Sequence, residues 1–187
     1  MAKLIITLPG APLLGGLVGV VCCAGILMAQ QNGVGYWVKT TGKTGPGMSL
    51  FLCVVVAFIT LPVSFGVCRW YSISVNAFSP VSMAQWGEYF SRTLIYSFGE
   101  EVFYRGWVQA YLGNRLAKFR GGKVMAIFAV AILFAVQHVG GLPVMIIALV
   151  GGLIFGAIFE KQGLLAAAAG HCLANLLQAM VLPLLVN

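Results

Sequence analysis

Residues 142–159 read LPVMIIALVGGLIFGAIF, an apolar run without a single charged side chain. A stretch of this length and composition is read as a membrane-crossing helix. Its surroundings say the same: the chain of 187 residues is 60 % hydrophobic and 8 % charged, with a mean hydropathy of +0.98. That leaves too little polar surface to cover a soluble globule. Working outward, comparable runs span Pro9 to about Gln30, Met48 to about Val67, Val124 to Val139 and Leu164 to Val186. A further segment, Ser82 to Leu112, is long enough to span but carries Glu88, Arg92, Glu100, Glu101 and Arg105 among many aromatics, so lipid cannot surround it on all sides. The expected fold is an all-α polytopic transmembrane bundle of about six membrane helices. With no linker or low-complexity tract dividing it, residues 1–187 are expected to form a single integral membrane domain.

The N-terminal run is expected to remain as an anchor, because it is long for a signal-peptide core and is preceded only by Lys3. Gly15, Gly19, Gly152 and Gly156 form small-xxx-small pairs that allow close helix approach. The basic cluster Arg115, Lys118, Arg120 and Lys123 marks a cytoplasmic loop. If every segment spans, Lys39, Lys43 and Lys161 join it inside, Lys3 and Arg69 lie outside, and both termini face outward. The net charge of +7 then serves orientation and contact with anionic lipid, and no nucleic-acid partner is expected. The five cysteines, Cys22, Cys23, Cys53, Cys68 and Cys172, lack CxxC spacing and do not form a disulfide framework. Cys172 adjoins His171, but helix neighbours point about 100° apart, so packing is its expected role.

Ionisable residues at membrane depth are costly and usually functional. Two of the four acidic residues are adjacent, Glu100 and Glu101, and there is no aspartate. On a helix the two point in different directions: Arg105 satisfies Glu101 at i+4, while Glu100 faces elsewhere and is free for chemistry. The only two histidines, His138 and His171, lie in separate apolar runs. Counting from the inner ends of the spans, Glu100, His138 and Asn175 all fall at roughly 18 to 23 Å depth. His171 and Asn175, at i and i+4, share a helix face.

Such a set suits amide hydrolysis. A carboxylate and an imidazole on facing helices hold a water and take its proton, while a second His and an Asn donate hydrogen bonds to the oxyanion. The rival is a zinc site of Glu100, His138 and His171. It lacks an HExxH helix, and Asn175 suits an oxyanion role better than a metal shell, so no cofactor is expected.

Three motifs carry a family resemblance: Glu100-Glu101-Val102-Phe103-Tyr104-Arg105 as EExxxR, Phe134-Ala135-Val136-Gln137-His138 as FxxxH, and His171-Cys172-Leu173-Ala174-Asn175 as HxxxN. Intact, in order and each expected on a helix, they resemble the CAAX protease and bacteriocin-processing (Abi) family of glutamic-type intramembrane endopeptidases. The resemblance covers residues 82–187 as a catalytic core. It implies that Glu100 and His138 activate water, that His171 and Asn175 form the oxyanion hole, and that Glu101 and Arg105 support them. The implied partner is a membrane-embedded or lipid-anchored protein or peptide, within a bacterial or archaeal cell membrane. Sorting-tail proteases of the myxosortase type are one such resemblance. A non-catalytic scaffold or bacteriocin self-immunity protein of the same fold, and a transporter with a Glu-His proton relay, are the competing classes.

Overall fold

The computed structural model describes residues 3–4, 46–75, 82–138 and 140–186. The run from Pro9 to Gln30, with Gly15, Gly19, Cys22 and Cys23, and the lysines Lys39 and Lys43, lie outside the described residues. The rest is helical: α1 (Pro46–Trp70), α2 (Met83–Glu101), a π-helical segment (Val102–Gln109), α3 (Ala110–Leu116), α4 (Gly122–Val136), α5 (Leu142–Gln162) and α6 (Leu164–Val186). A two-residue parallel pairing of β1 (Lys3–Leu4) with β2 (Ser74–Val75) is the only strand structure among the described residues and leaves the class all-α.

Local sequence explains most boundaries. Ser82 caps α2: its backbone is extended, and its hydroxyl accepts from the Gln85 N–H at 3.3 Å. At the basic turn, a Cβ on Gly122 would collide with the Leu116 carbonyl, so only glycine fits there. A single residue, Gly163 at φ 88°, reverses the chain between α5 and α6. The fourth helix ends earlier than the apolar pattern predicts. It stops at Val136, and the His138 N–H bonds back to Ala135 O at 3.0 Å, an i→i−3 turn ahead of Gly140 and Gly141. His138 therefore sits just past a helix end and not within a helix.

Helices α5 and α6 are long and apolar enough to cross a membrane. Large side chains such as Phe58, Ile95, Phe128, Ile132, Leu165 and Leu184 are exposed on the outside of the bundle, as a hydrocarbon solvent permits. One row of mostly polar residues faces inward. In the third segment every fourth residue from Tyr89 to Gly113 is buried: Tyr89, Thr93, Ser97, Glu101, Arg105, Gln109 and Gly113. On an α-helix a four-residue spacing drifts by about 40° per step. The π segment closes i→i+5 and turns less per residue, which brings the row back to one face.

Main packing pairs are α1 with α6 and α4 with α5. Glycine makes the second pairing close: a Cβ on Gly152 would lie 3.1 Å from the Ala131 Cα. The same glycines leave their carbonyls uncovered on another side. Arg105 Nη2 donates to Gly152 O and Gln109 Nε2 to Gly156 O, each at 3.0 Å. Two side chains one turn apart on the π segment thus dock on two carbonyls one turn apart on α5, using the second lone pair of each.

Gly152→Ala is expected to cost about 1–3 kcal/mol, because the clash is with backbone. Gly156→Ala, which meets the movable ends of Gln109 and Ile127 at 2.9 and 3.0 Å, should be much milder. Thermal unfolding of the two variants in detergent checks the order; equal losses would contradict this packing.

Candidate active site

Glu101 is the centre of the polar core. Its side chain and that of Arg105 are both 0 % exposed, and Glu101 Oε1 accepts from Arg105 Nη1 at 2.9 Å. The i+4 pairing expected from the spacing is present. The same oxygen also lies 2.9 Å from His171 Nδ1, seventy residues along the chain. With a carboxylate as acceptor, Nδ1 carries the proton and the ring is held in one orientation. The other ring nitrogen, Nε2, faces Glu100 Oε2 at 3.7 Å. Glu100 is a quarter exposed (25 %) while Glu101 is sealed, so the adjacent glutamates do occupy different environments.

Aromatic rings enclose the charges. The Arg105 guanidinium stands 4.7 Å from the Phe134 ring centre and 5.7 Å from that of Phe155, a favourable cation–π setting when water is excluded. Phe155 also stacks on His171, with centroids 4.6 Å apart. Phe134, the first residue of FxxxH, contacts both histidine rings, at 4.7 Å from His138 and 5.7 Å from His171. It is the spacer that sets the two histidines relative to each other. His138 Nδ1 is 2.7 Å from the Phe134 carbonyl. That contact requires a proton on Nδ1 and leaves Nε2 as an acceptor.

Asn175 Nδ2 donates to Ser97 Oγ at 3.2 Å, which uses one of its two N–H groups. His138, His171 and Asn175 line one cavity of about 140 Å³. The sequence-derived residues thus fall into two overlapping sets. Glu100, Glu101, Arg105 and His171 form one polar cluster, and His138, His171 and Asn175 share the cavity wall. Glu100 meets His171 here, and does not line that cavity.

Several contributors escaped the motif reading. Ser97 and Gln109 continue the four-residue row of Glu101 and Arg105, and that spacing was the available signal. Tyr104 donates to Gln137 Oε1 at 2.5 Å, tying the π segment to the turn that presents His138. Gln109 reaches on to Glu160 Oε1 at 3.3 Å, and Glu160 Oε2 pairs with Lys123 at 3.1 Å. Nothing in the spacing of Tyr104, Gln137 or Glu160 announces these contacts.

Arg105→Leu should sharply reduce folded yield, because removing one member of a buried pair costs about 3–5 kcal/mol. Glu101→Leu combined with Arg105→Leu should recover much of that yield, since no charge is then left alone. Folded fraction by size-exclusion chromatography in detergent reads both. If the double variant is worse than the single one, the buried charge is not what destabilises it.

No curated protein and no solved structure matches the chain. The family model described as type II CAAX prenyl endopeptidase Rce1-like matches residues 82–177, which takes in all three motifs and about half of the chain. This is a protease family embedded in membranes, in keeping with the apolar helices α5 and α6. On the cover of the match and the residues inside it, the chain belongs to the type II CAAX prenyl endopeptidase Rce1-like family.

Proposed function

We propose that this protein is a multi-pass, metal-independent intramembrane endopeptidase of the glutamic type. Its substrate is a membrane-embedded or lipid-anchored protein or peptide, and its catalytic groups are Glu100, His138, His171 and Asn175. The observation that carries the reading is the convergence of His138, His171 and Asn175, from the end of α4 and from α6, on one cavity, with Glu100 held against His171 Nε2.

His138 Nε2, left as an acceptor by the Nδ1 contact with Phe134 O, takes a proton from water together with the Glu100 carboxylate as the water oxygen bonds to the substrate carbonyl carbon. The carbonyl π electrons move onto oxygen. The second N–H of Asn175, and His171 through Nε2 when that nitrogen carries a proton, donate to that oxyanion. Glu101 beneath Nδ1 holds the His171 ring in place. Collapse re-forms the carbonyl and breaks the C–N bond, and the departing amine takes the proton stored on His138 or Glu100.

Metal independence is supported by how the donors are placed. Among the described residues no three His, Cys, Asp or Glu side chains gather as a metal site. The family description adds a prenylated peptide to the candidate substrates. C-terminal sorting tails and peptide precursors are the others.

Purified protein with a quenched-fluorescence peptide should lose about 10²–10⁴-fold in turnover on Glu100→Gln or His138→Ala, and about 10²–10³-fold on Asn175→Ala, with melting temperatures close to wild type. Activity should survive strong chelation. Undiminished turnover in the Glu100→Gln and His138→Ala variants would sink the assignment, and a retained biological effect without turnover would favour the scaffold or immunity role.

A further inference from the structure

His138 differs from the other proposed catalytic groups in how it is held. Glu100 sits in the last turn of α2, and His171 and Asn175 lie within α6, where helical hydrogen bonds fix the backbone. His138 lies past the end of α4, and beyond it Gly141, at φ 83°, takes a conformation that favours glycine. The placement of its imidazole therefore falls to side-chain contacts. Its Nδ1 contact with the Phe134 carbonyl and its ring contact with Phe134 set it against the end of α4. Both stay within α4 and its last turn, whereas Glu100 belongs to another element. The hydrogen bond from Tyr104 to Gln137 crosses that gap. It joins the residue four places after Glu100 to the residue just before His138. Tyr104 is 9 % exposed, and its ring meets Phe134 and Phe103 edge-on at 5.2 and 4.9 Å. The phenol is thus packed in one direction, and its O–H donates to the Gln137 carbonyl oxygen at 2.5 Å.

We infer that Tyr104 and Gln137 are positioning residues for the reaction: the bond between them holds the His138 turn at a fixed place relative to Glu100, so that imidazole and carboxylate reach the same water. The inference rests on the endopeptidase reading above. Two groups that share one proton transfer must both stand within hydrogen-bond reach of the water, and a displacement of about 1 Å can cost about 10²-fold in rate. A turn followed by glycine has that much freedom unless something across the site restrains it. Neither Tyr104 nor Gln137 lines the cavity that His138, His171 and Asn175 share. Their contribution therefore falls on the chemical step and not on substrate binding. The ring of Tyr104 and its hydroxyl have separable tasks: the ring packs in the core with Phe134 and Val130, and the hydroxyl restrains the turn.

The test uses the full chain in lipid vesicles, two quenched-fluorescence peptides of unrelated sequence, and rates normalised to folded protein. Tyr104→Phe removes the hydroxyl and keeps the ring; Gln137→Met removes the acceptor at similar length. Each should lower kcat by about 10–100-fold, by the same factor for both peptides, with KM close to wild type. Because the two changes break one bond, the double variant should be no slower than either single one. Gln137→Met, at an exposed position, carries the prediction by itself if Tyr104→Phe folds poorly. A lowered melting temperature with unchanged kcat would show that the bond only joins the elements, and would overturn the proposal. Losses that multiply in the double variant, or that appear in KM or in one peptide alone, would overturn it as well. In all of these outcomes wild type still turns over and Glu100→Gln still stops it, so the endopeptidase reading stands. If wild type cleaves neither peptide, that reading falls and takes the positioning role with it.

Discussion

A carboxylate with no access to water governs this structure. Glu101 is sealed within a bundle whose outer surface is hydrocarbon-like, and a charge in that position must be matched within a few ångströms. One of its oxygens accepts from both Arg105 and His171, so the group that offsets the guanidinium also orients the imidazole. Charge balance and the orientation of the His171 ring are thereby coupled in a single atom. Arg105 in turn is surrounded by the faces of Phe134 and Phe155, which contribute π-electron density and exclude solvent. The same two rings contact the histidines. The apolar half of the site is thus as specific in its placement as the polar half.

Around that atom the helices are joined by few but directional contacts. In lipid, apolar surface alone gives helices little reason to choose one neighbour over another, and packing detail and hydrogen bonds decide. Here Gly152 serves both purposes: it lets α4 approach on one side and offers a bare carbonyl to Arg105 on another. Gly156 does the same for Ile127 and Gln109. Beyond them, Glu160 extends the polar line to Lys123 at the basic turn. The polar core is continuous with the edge of the bundle through these side chains and the two glycine carbonyls on which they dock.

Much of this was legible from the residues. The Glu101–Arg105 pair follows from i+4 spacing, the shared face of His171 and Asn175 from the same rule, and the different settings of Glu100 and Glu101 from the 100° between helix neighbours. The small-xxx-small pattern at Gly152 and Gly156 signalled close approach, although not the carbonyl acceptors it would expose. What stayed hidden is non-local or off-helix. The contact between Glu101 and His171 joins residues seventy positions apart. His138 was expected on a helix because Val139 extends the apolar pattern, whereas the Gly140-Gly141 step ends that helix at Val136. Ser97 and Gln109 stand in a row of four-residue steps with Glu101 and Arg105, yet an α-helical reading spreads that row into a spiral, and only the wider turn of residues 102–109 gathers it again.

That wider turn makes the chain unequal in its tolerance of length changes. In the basic turn near residues 117–121, a residue more or less is absorbed by the loop, and the helices on either side keep their facing. Inside 102–109, loss of one residue would let the segment close as α-helix, whose tighter winding offsets most of the turn that the missing residue supplied. Loss of a second residue has no such reserve and would rotate everything before it by about 100° relative to everything after, although no residue of the three motifs had been replaced. In this region residue count, and not only residue identity, carries information, and a chain with one position missing between Arg105 and Gln109 would hold those two side chains three residues apart, a spacing with which a plain α-helix keeps both on one face.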